Sequence, residues 1–122
     1  MIGGVNHWPD YMRFRDQFAE AMDPRFYDIK WLDDQIRYNR FRLWANDDAA
    51  IVAEIKTYPT GAKAVHGMIA AGDLEAITGL IPLAEQWGRE TGCIVAEVAS
   101  REGWARILPE YAVHQIEIVK EL

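Results

Sequence analysis

Histidine is the side chain in this sequence that most readily accepts a proton near neutral pH, and the chain contains three of them. His66 lies between Val65 and Gly67, in an apolar stretch that has the length of a strand. In that position it could serve as a general base. A lone histidine in a strand is more often a hydrogen-bonded structural residue, so both roles stay open. His7 and His114 are distant from it in sequence.

The other residues that could bind a metal or act as a nucleophile form no recognised pattern. No two histidines have helical spacing, and no set of cysteine and histidine matches a zinc site, so we expect no metal. Cys93 follows the predicted end of a helix rather than a helix start, where a thiolate would be stabilised. We interpret it as a small buried apolar residue.

The composition is that of an ordinary soluble globular domain, with 122 residues, 50% hydrophobic and 26% charged. The net charge of −6 disfavours nucleic-acid binding, and aspartates surround the one basic cluster, Arg37, Arg40 and Arg42. No apolar run is long enough to span a bilayer, and the N-terminus lacks the features of a signal peptide. A single cysteine cannot form an internal disulfide. We therefore expect a cytoplasmic protein with no membrane or nucleic-acid partner.

The spacing of apolar residues predicts the elements that position these side chains. Residues recurring every three or four positions predict two helices, and alternating residues predict strands joined by short turns. Three successive strands with short turns imply an antiparallel meander. The predicted helices are 9–22 and 25–38, and the predicted strands are 41–45, 49–57 and 63–71.

The stretch from Lys63 to Glu97 organises the rest of the chain. It contains an apolar strand, an amphipathic helix and a second apolar strand at 94–98, which fits a crossover between two parallel strands. Asp73 is a favoured N-cap residue, whereas Pro82 should kink the helix or split it near Leu80. Ligands bind in such units outside the carboxyl end of the first strand, which here is Ala70 to Asp73.

A short helical segment at 100–111 and a last strand at 113–120 complete the predicted order. We predict one α+β domain over residues 1–122, with a helical part at 1–39 and a sheet and crossover part at 40–122. Its mixed sheet of about five strands contains an antiparallel meander, one parallel crossover and an antiparallel last strand, with helices flanking it.

This order of elements resembles the fold of the GNAT acetyltransferases from roughly Arg40 to Leu122. Three segments are similar to segments of small GNAT-like proteins of phage and prophage genomes. They are AAGDL after a strand, GC before the next strand, and REGWARIL before the last strand. The resemblance implies that acetyl-CoA is the cosubstrate. In the family, backbone N–H groups at the start of the central helix surround its pyrophosphate. The matching residues here are Ile69, Ala70, Ala71, Gly72, Asp73 and Leu74.

The resemblance also implies catalytic roles for three residues. A carboxylate on a neighbouring strand, here Glu54, can act as the base in the family, and His66 is the other candidate. In the family a tyrosine in the last helix often protonates the leaving thiolate. Here Leu108 occupies the aligned position, and Tyr111 could substitute for it or simply pack. Glu54 could equally lie on a solvated face.

The predicted pyrophosphate site departs from the family motif, Gln/Arg-x-x-Gly-x-Gly/Ala. The matching segment contains one glycine and neither glutamine nor arginine. Asp73 and Glu75 lie in the first turn of the helix, where their carboxylates would repel phosphate and Asp73 would bond the N–H groups that an anion needs. These features predict that the Asp73 side chain caps the helix and occupies the N–H groups that would otherwise bind the pyrophosphate.

Two functions follow from the resemblance. The first is a phage or prophage protein with a degenerate acetyl-CoA site, needing no cofactor, that has a structural or interaction role in the host cytoplasm or the virion. The second is an active N-acetyltransferase that transfers acetyl from acetyl-CoA to an amine. A third, a host-takeover protein that binds a host factor through its acidic surface, stays open.

A protein partner or self-association would suit the interaction role. Trp44 is the residue that bears on it, because its side chain either marks an exposed contact patch or is covered by the N-terminal helices.

Overall fold

Four strands form one mixed sheet in the part of the chain that the computed structural model describes, residues 6–98, 107–115 and 117–122. Three helices accompany it, and the α+β class is confirmed. The elements in chain order are α1 (Trp8–Ala21), α2 (Ile29–Arg37), β1 (Arg42–Ala45), β2 (Ala49–Thr57), β3 (Lys63–Gly72), α3 (Leu74–Glu90) and β4 (Val95–Val98).

The strands are ordered β1-β2-β3-β4 across the sheet. The first three pair antiparallel, as the predicted meander requires, and β3 pairs parallel with β4 through the α3 crossover. One irregularity interrupts the β2–β3 ladder, because Val52 pairs with Ile69 whereas Ala53 pairs with Gly67. Met68 is therefore an extra residue in β3, and it forms a β-bulge.

Helices cover both faces of this sheet. On one face, aromatic and aliphatic residues of α1 and α2 pack against Leu43, Ala50 and Val52. On the other face, Ile77 and the neighbouring apolar residues of α3 pack against Ile51. Two apolar clusters thus hold the sheet between two helical layers. The buried helical residues are Tyr11, Phe14, Phe18, Leu32 and Ile36 on the first face and Ile77, Leu80 and Ala84 on the second.

Three predictions about individual elements need correction. The predicted split near Leu80 does not occur, because α3 runs through Pro82 from Leu74 to Glu90. Trp44 is partly buried, and it packs on the α3 side of the sheet rather than against the N-terminal helices, since its ring lies 5.4 Å from that of Trp87. The last strand is absent in the described part of 113–120, where the side chain of Ile118 is 91% exposed.

The remaining predicted element, the short helix at 100–111, falls largely outside the described residues. Within the described ranges, no helix is both long enough and apolar enough to cross a membrane. No strand pairs with the far edge of β4 in the same ranges, and Ile94 and Val95 are exposed there.

An ion pair joins α1 to α2. Arg15 donates hydrogen bonds from Nε and Nη2 to the two carboxylate oxygens of Asp33, each at 2.8 Å, and the Tyr11 hydroxyl donates to Asp33 Oδ1 at 2.6 Å. The Arg15 hydrogen bonds, which outweigh the effect of burial, lower the pKa of Asp33 below its ordinary value. Tyr11 is fully buried, so this cluster anchors the apolar core to a charged pair.

We expect Asp33→Ala to lower the free energy of unfolding by about 2–3 kcal/mol, because it removes the acceptor to which the Tyr11 hydroxyl and the Arg15 guanidinium donate. Asp34→Ala is the matched control, since Asp34 makes an exposed i,i+3 pair with Arg37 and should cost about 0.5 kcal/mol or less. Urea denaturation at pH 7 measures both. Equal losses of unfolding free energy in the two variants would contradict a stabilising role of the Asp33 ion pair beyond that of an exposed pair.

The lowered pKa of Asp33 gives this effect a pH dependence. Its contribution is present above the ordinary aspartate value of 3.8 and is lost as the pH falls through the lower value of the folded protein. The difference in the free energy of unfolding between wild type and Asp33→Ala should therefore become smaller in acid.

Candidate functional site

A cavity of about 540 Å³ opens where β3 and β4 stop pairing. The parallel ladder ends at Gly67 and Val98, and β3 alone continues to Gly72. Residues 68–70 of β3 line the cavity on the side where β4 has ended. The cavity thus lies at the carboxyl ends of two parallel strands, which is where open sheets containing parallel strands bind ligands.

The walls of the cavity come from both faces of the sheet. Residues at the end of α1 contribute on one face, and α3 contributes apolar side chains such as Ile77 and Ile81 on the other. Within the described chain, the charged residues that line the cavity are Glu20, Glu85 and Glu97, all of them acidic. An apolar cavity with carboxylates at its wall suits a ligand that is neutral or positively charged.

The bulge in β3 helps to shape this cavity. Gly67 precedes it, and a Cβ at Gly67 would approach Val98 Cγ2 to 3.3 Å, so glycine lets β4 come close at the last paired position. The extra residue then changes the alternation of the strand, and Met68 and Ile69 both pack against the cluster on the α1 and α2 face. Bulges of this kind occur frequently next to active sites.

A hydrogen-bonded cluster of His66, Glu97 and Tyr58 lies beside the cavity. His66 Nδ1 is 2.9 Å from Glu97 Oε1, and the Tyr58 hydroxyl donates to both carboxylate oxygens of Glu97 at 2.8 and 2.9 Å. Because an ionised carboxylate only accepts, Nδ1 carries the hydrogen, and in the neutral form of the imidazole Nε2 is then an acceptor. Glu97 itself lines the cavity.

The electrostatics of the cluster favour an ionised Glu97. Burial raises the pKa of this carboxyl, but the hydrogen bonds from Tyr58 and His66, together with the charges of His66 and Lys56, outweigh it and hold the pKa below its ordinary value. The same contact with Glu97 raises the pKa of the Tyr58 hydroxyl. Glu97 is not among the candidate residues predicted from the sequence.

The structure brings two of the three predicted catalytic residues together. Glu54 and His66 are direct partners in the β2–β3 ladder, so their side chains project from the same face of the sheet. Tyr111 lines the cavity separately, and its hydroxyl donates to Glu85 Oε2 at 2.6 Å. Burial and this hydrogen bond raise the pKa of Tyr111 well above its ordinary value, so the hydroxyl stays protonated.

The six predicted cofactor-binding residues divide between three environments. Ile69 and Ala70 line the cavity, whereas Ala71 is buried in the cluster on the α1 and α2 face. Asp73 is the N-cap of α3, as predicted, with Oδ2 accepting from Ala76 N at 3.0 Å. Gly72 is the residue before Asp73. Leu74 is the residue after it, and its side chain is exposed. Only the first two therefore face the cavity.

No group of three or more histidine, cysteine, aspartate or glutamate side chains in the described ranges could hold a metal ion. Cys93 is partly exposed, with its Sγ 3.6 Å from Thr91 Oγ1, so the predicted burial is incomplete.

Comparison with known proteins identifies the fold but no sequence relative. A scan against protein-family models finds no match, and a search of curated proteins finds no similar sequence. Several solved structures are similar over nearly the whole chain.

An acetyltransferase from Trypanosoma brucei is similar with a TM-score of 0.67 at 12% identity over 95% of each chain. Glucosamine-6-phosphate N-acetyltransferase from Arabidopsis thaliana gives a TM-score of 0.64 at 12% identity, covering 94% of this chain and 93% of that one. A predicted acetyltransferase with acetyl-CoA from Clostridium acetobutylicum gives 0.58 at 13% identity, covering 91% and 84%.

These likenesses define an acetyltransferase fold built around a mixed sheet with one parallel crossover. The GNAT fold that the sequence resemblance implied is confirmed. At such low identity the likeness concerns the fold alone, and function must be argued from the site.

Proposed function

We propose that the protein is an N-acetyltransferase that holds a pantetheine thioester, the reactive part of acetyl-CoA, between β3 and β4 and transfers its acetyl group to an amine. The observation that carries the proposal is the cavity of about 540 Å³ at the carboxyl ends of the two parallel strands. This volume lies within the range of about 300–1,000 Å³ that small-molecule sites occupy.

The edge of β3 suits the amide groups of a pantetheine arm. Residues 68–70 have β2 on one side, and on the other side the described chain supplies no ladder partner. An extended ligand that contains amides can bind such an edge as an added strand does. The similar structure from Clostridium acetobutylicum, which has acetyl-CoA, supports this assignment by analogy.

The cluster beside the cavity can remove the proton that amide formation releases. As the amine nitrogen bonds to the thioester carbonyl carbon, the C–S bond breaks and the amine loses one proton. His66 lies beside the cavity rather than among its lining residues, so we place the attacking amine at the Glu97 side of the cavity, next to the cluster. We assign His66 Nε2 as the base that receives the proton there, with Glu97 orienting the imidazole through Nδ1 and stabilising its charged form. Glu97, Glu85 and Glu20 would also attract a cationic amine to the cavity.

Tyr111 is the proposed acid. It lines the cavity, and its hydroxyl is protonated and donates to Glu85. Turning that hydroxyl from Glu85 to the departing sulfur would return a proton to the thiolate and complete the balance of the reaction.

Donor binding and thiol release test the proposal. Either S-acetylpantetheine or acetyl-CoA at a hundred times its dissociation constant should stabilise the fold by about 2.7 kcal/mol. Addition of a primary amine should then release free thiol, which a thiol reagent detects. Absence of any thermal shift with both donors at millimolar concentration would contradict the proposal.

The second candidate is a GNAT-fold protein that does not catalyse and works through a protein partner or self-association. The favouring observation is the capped start of α3, where Asp73 uses the Ala76 N–H. No thermal shift with either donor, together with a dimer that forms with rising concentration in sedimentation, would favour it. Phage or prophage origin, and a place in the virion or host cytoplasm, stay predictions that detection in purified virions would test.

A further inference from the structure

The junction between β3 and α3 leaves no loop for a diphosphate. Asp73 alone separates the last residue of the strand, Gly72, from the first residue of the helix. A Cβ at Gly72 would lie 2.1 Å from the carbonyl oxygen of Asp48, so the junction packs directly on the β1–β2 turn. The chain therefore passes directly from β3 into α3, at the place where a phosphate-binding loop would need additional residues.

Two of the backbone donors at this junction are already used. Asp73 N donates to the Asp48 carbonyl oxygen at 2.9 Å, and Ala76 N donates to Asp73 Oδ2 at 3.0 Å. A diphosphate that bound here would have to displace the aspartate from its cap. It would also compete with the contact that joins the junction to the β1–β2 turn.

The charges around the junction oppose a phosphate as well. Asp73 and Glu75 belong to the start of the helix, and Asp47 and Asp48 to the adjoining turn. Arg13 contacts this turn, but its guanidinium donates to the carbonyl oxygens of Asn46 and Asp47 and to the Asp10 carboxylate. Four exposed carboxylates thus belong to the junction and the adjoining turn, and Arg13, which contacts this turn, already donates to other groups.

The cavity for the thioester arm is separate from this junction, because none of the junction residues lines it. Apolar residues of β2, β3 and α3 line it together with the carboxylates of Glu20, Glu85 and Glu97. The site therefore fits the acyl-pantetheine part of acetyl-CoA and does not fit its nucleotide diphosphate.

We propose that the natural acyl donor is an acyl-pantetheine thioester without the nucleotide diphosphate of coenzyme A, and that Asp73 and Glu75 set this selectivity. The inference rests on the proposed function and specifies its donor. The arm could be a free acyl-pantetheine or the prosthetic arm of a carrier protein, since both present the same thioester to the cavity.

Calorimetry with S-acetylpantetheine and acetyl-CoA tests the selectivity. S-acetylpantetheine should bind at least as tightly as acetyl-CoA, although it lacks the nucleotide. Tighter binding of acetyl-CoA by about tenfold or more would overturn the inference and leave the proposed function standing. Binding of neither donor would overturn both.

The double variant Asp73→Asn/Glu75→Gln isolates the charges, because asparagine remains a good N-cap. It should strengthen acetyl-CoA binding by about threefold to tenfold and leave S-acetylpantetheine unchanged. Asp16→Asn/Glu117→Gln removes the same two charges at exposed positions away from the junction, so it is the control for net charge and should change neither. Weaker acetyl-CoA binding by the double variant would show that these residues hold the nucleotide and would overturn the inference.

A transfer assay distinguishes the two sources of the arm. Faster acetyl transfer from an acetylated acyl carrier protein than from S-acetylpantetheine at equal concentration would support the inference and identify the carrier. The reverse order would support it and identify the small thioester. Faster transfer from acetyl-CoA than from both would overturn it.

Discussion

Replacement of Gly72 by alanine is expected to lower the free energy of unfolding by more than about 4 kcal/mol, a loss that few single substitutions cause. The residue has φ of +100°, and an added Cβ would lie 2.1 Å from the Asp48 carbonyl oxygen and 2.7 Å from Ala49 Cα. Both are backbone atoms, so no side-chain rotation can relieve the contact. The β3–α3 junction would have to move away from the β1–β2 turn.

Gly92→Ala is the matched control at the other end of α3. Gly92 also has a positive φ, +85°, but an added Cβ would meet nothing within 4 Å. It should cost only the conformational strain, about 1–2 kcal/mol. Thermal unfolding of both variants separates the clash from the strain. Equal losses would mean that the junction has room for a larger residue, and so no steric barrier to a diphosphate.

Replacement of His66 by glutamine is the change with the largest expected effect on catalysis. It removes the proposed base, which should lower kcat for acetyl transfer by about 100-fold or more. The dissociation constant of the donor should stay within about twofold, because His66 is not among the residues that line the cavity. Glu97→Gln should lower kcat less, since the imidazole remains but loses the partner that orients it.

Glu54→Gln is the control that separates the two candidate bases. Glu54 pairs with His66 across the β2–β3 ladder and shares its face of the sheet. Its replacement should change kcat by no more than about threefold if His66 is the base. A loss of about 100-fold in Glu54→Gln, with little change in His66→Gln, would transfer the role to Glu54.

Elements with strong local signals could be predicted from the sequence. Alternation between two turns fixes β2 at Ala49–Thr57, as predicted. Asp73 caps α3 because an aspartate followed by an amphipathic stretch is a local signal that needs no tertiary contact. The parallel crossover followed from the length and pattern of the stretch alone.

Features that depend on distant contacts could not be predicted in this way. Glu97 meets His66 only because the parallel register pairs these two residues, and a crossover helix does not reveal a register. The bulge at Met68 likewise depends on how β3 lies against β2. Pro82 suggested a break, yet the apolar residues on both sides of it are buried on the sheet and hold α3 together.

The central claim is that a pantetheine thioester binds at the β3 edge beside β4. Titration of the isotope-labelled protein with S-acetylpantetheine, followed through backbone amide resonances, tests it most directly. We predict saturable shifts for Met68, Ile69, Ala70 and Val98, with the α2 resonances of Leu32 and Ile36 unchanged. Saturable shifts confined to other parts of the chain, with residues 68–70 unaffected, would contradict the claim.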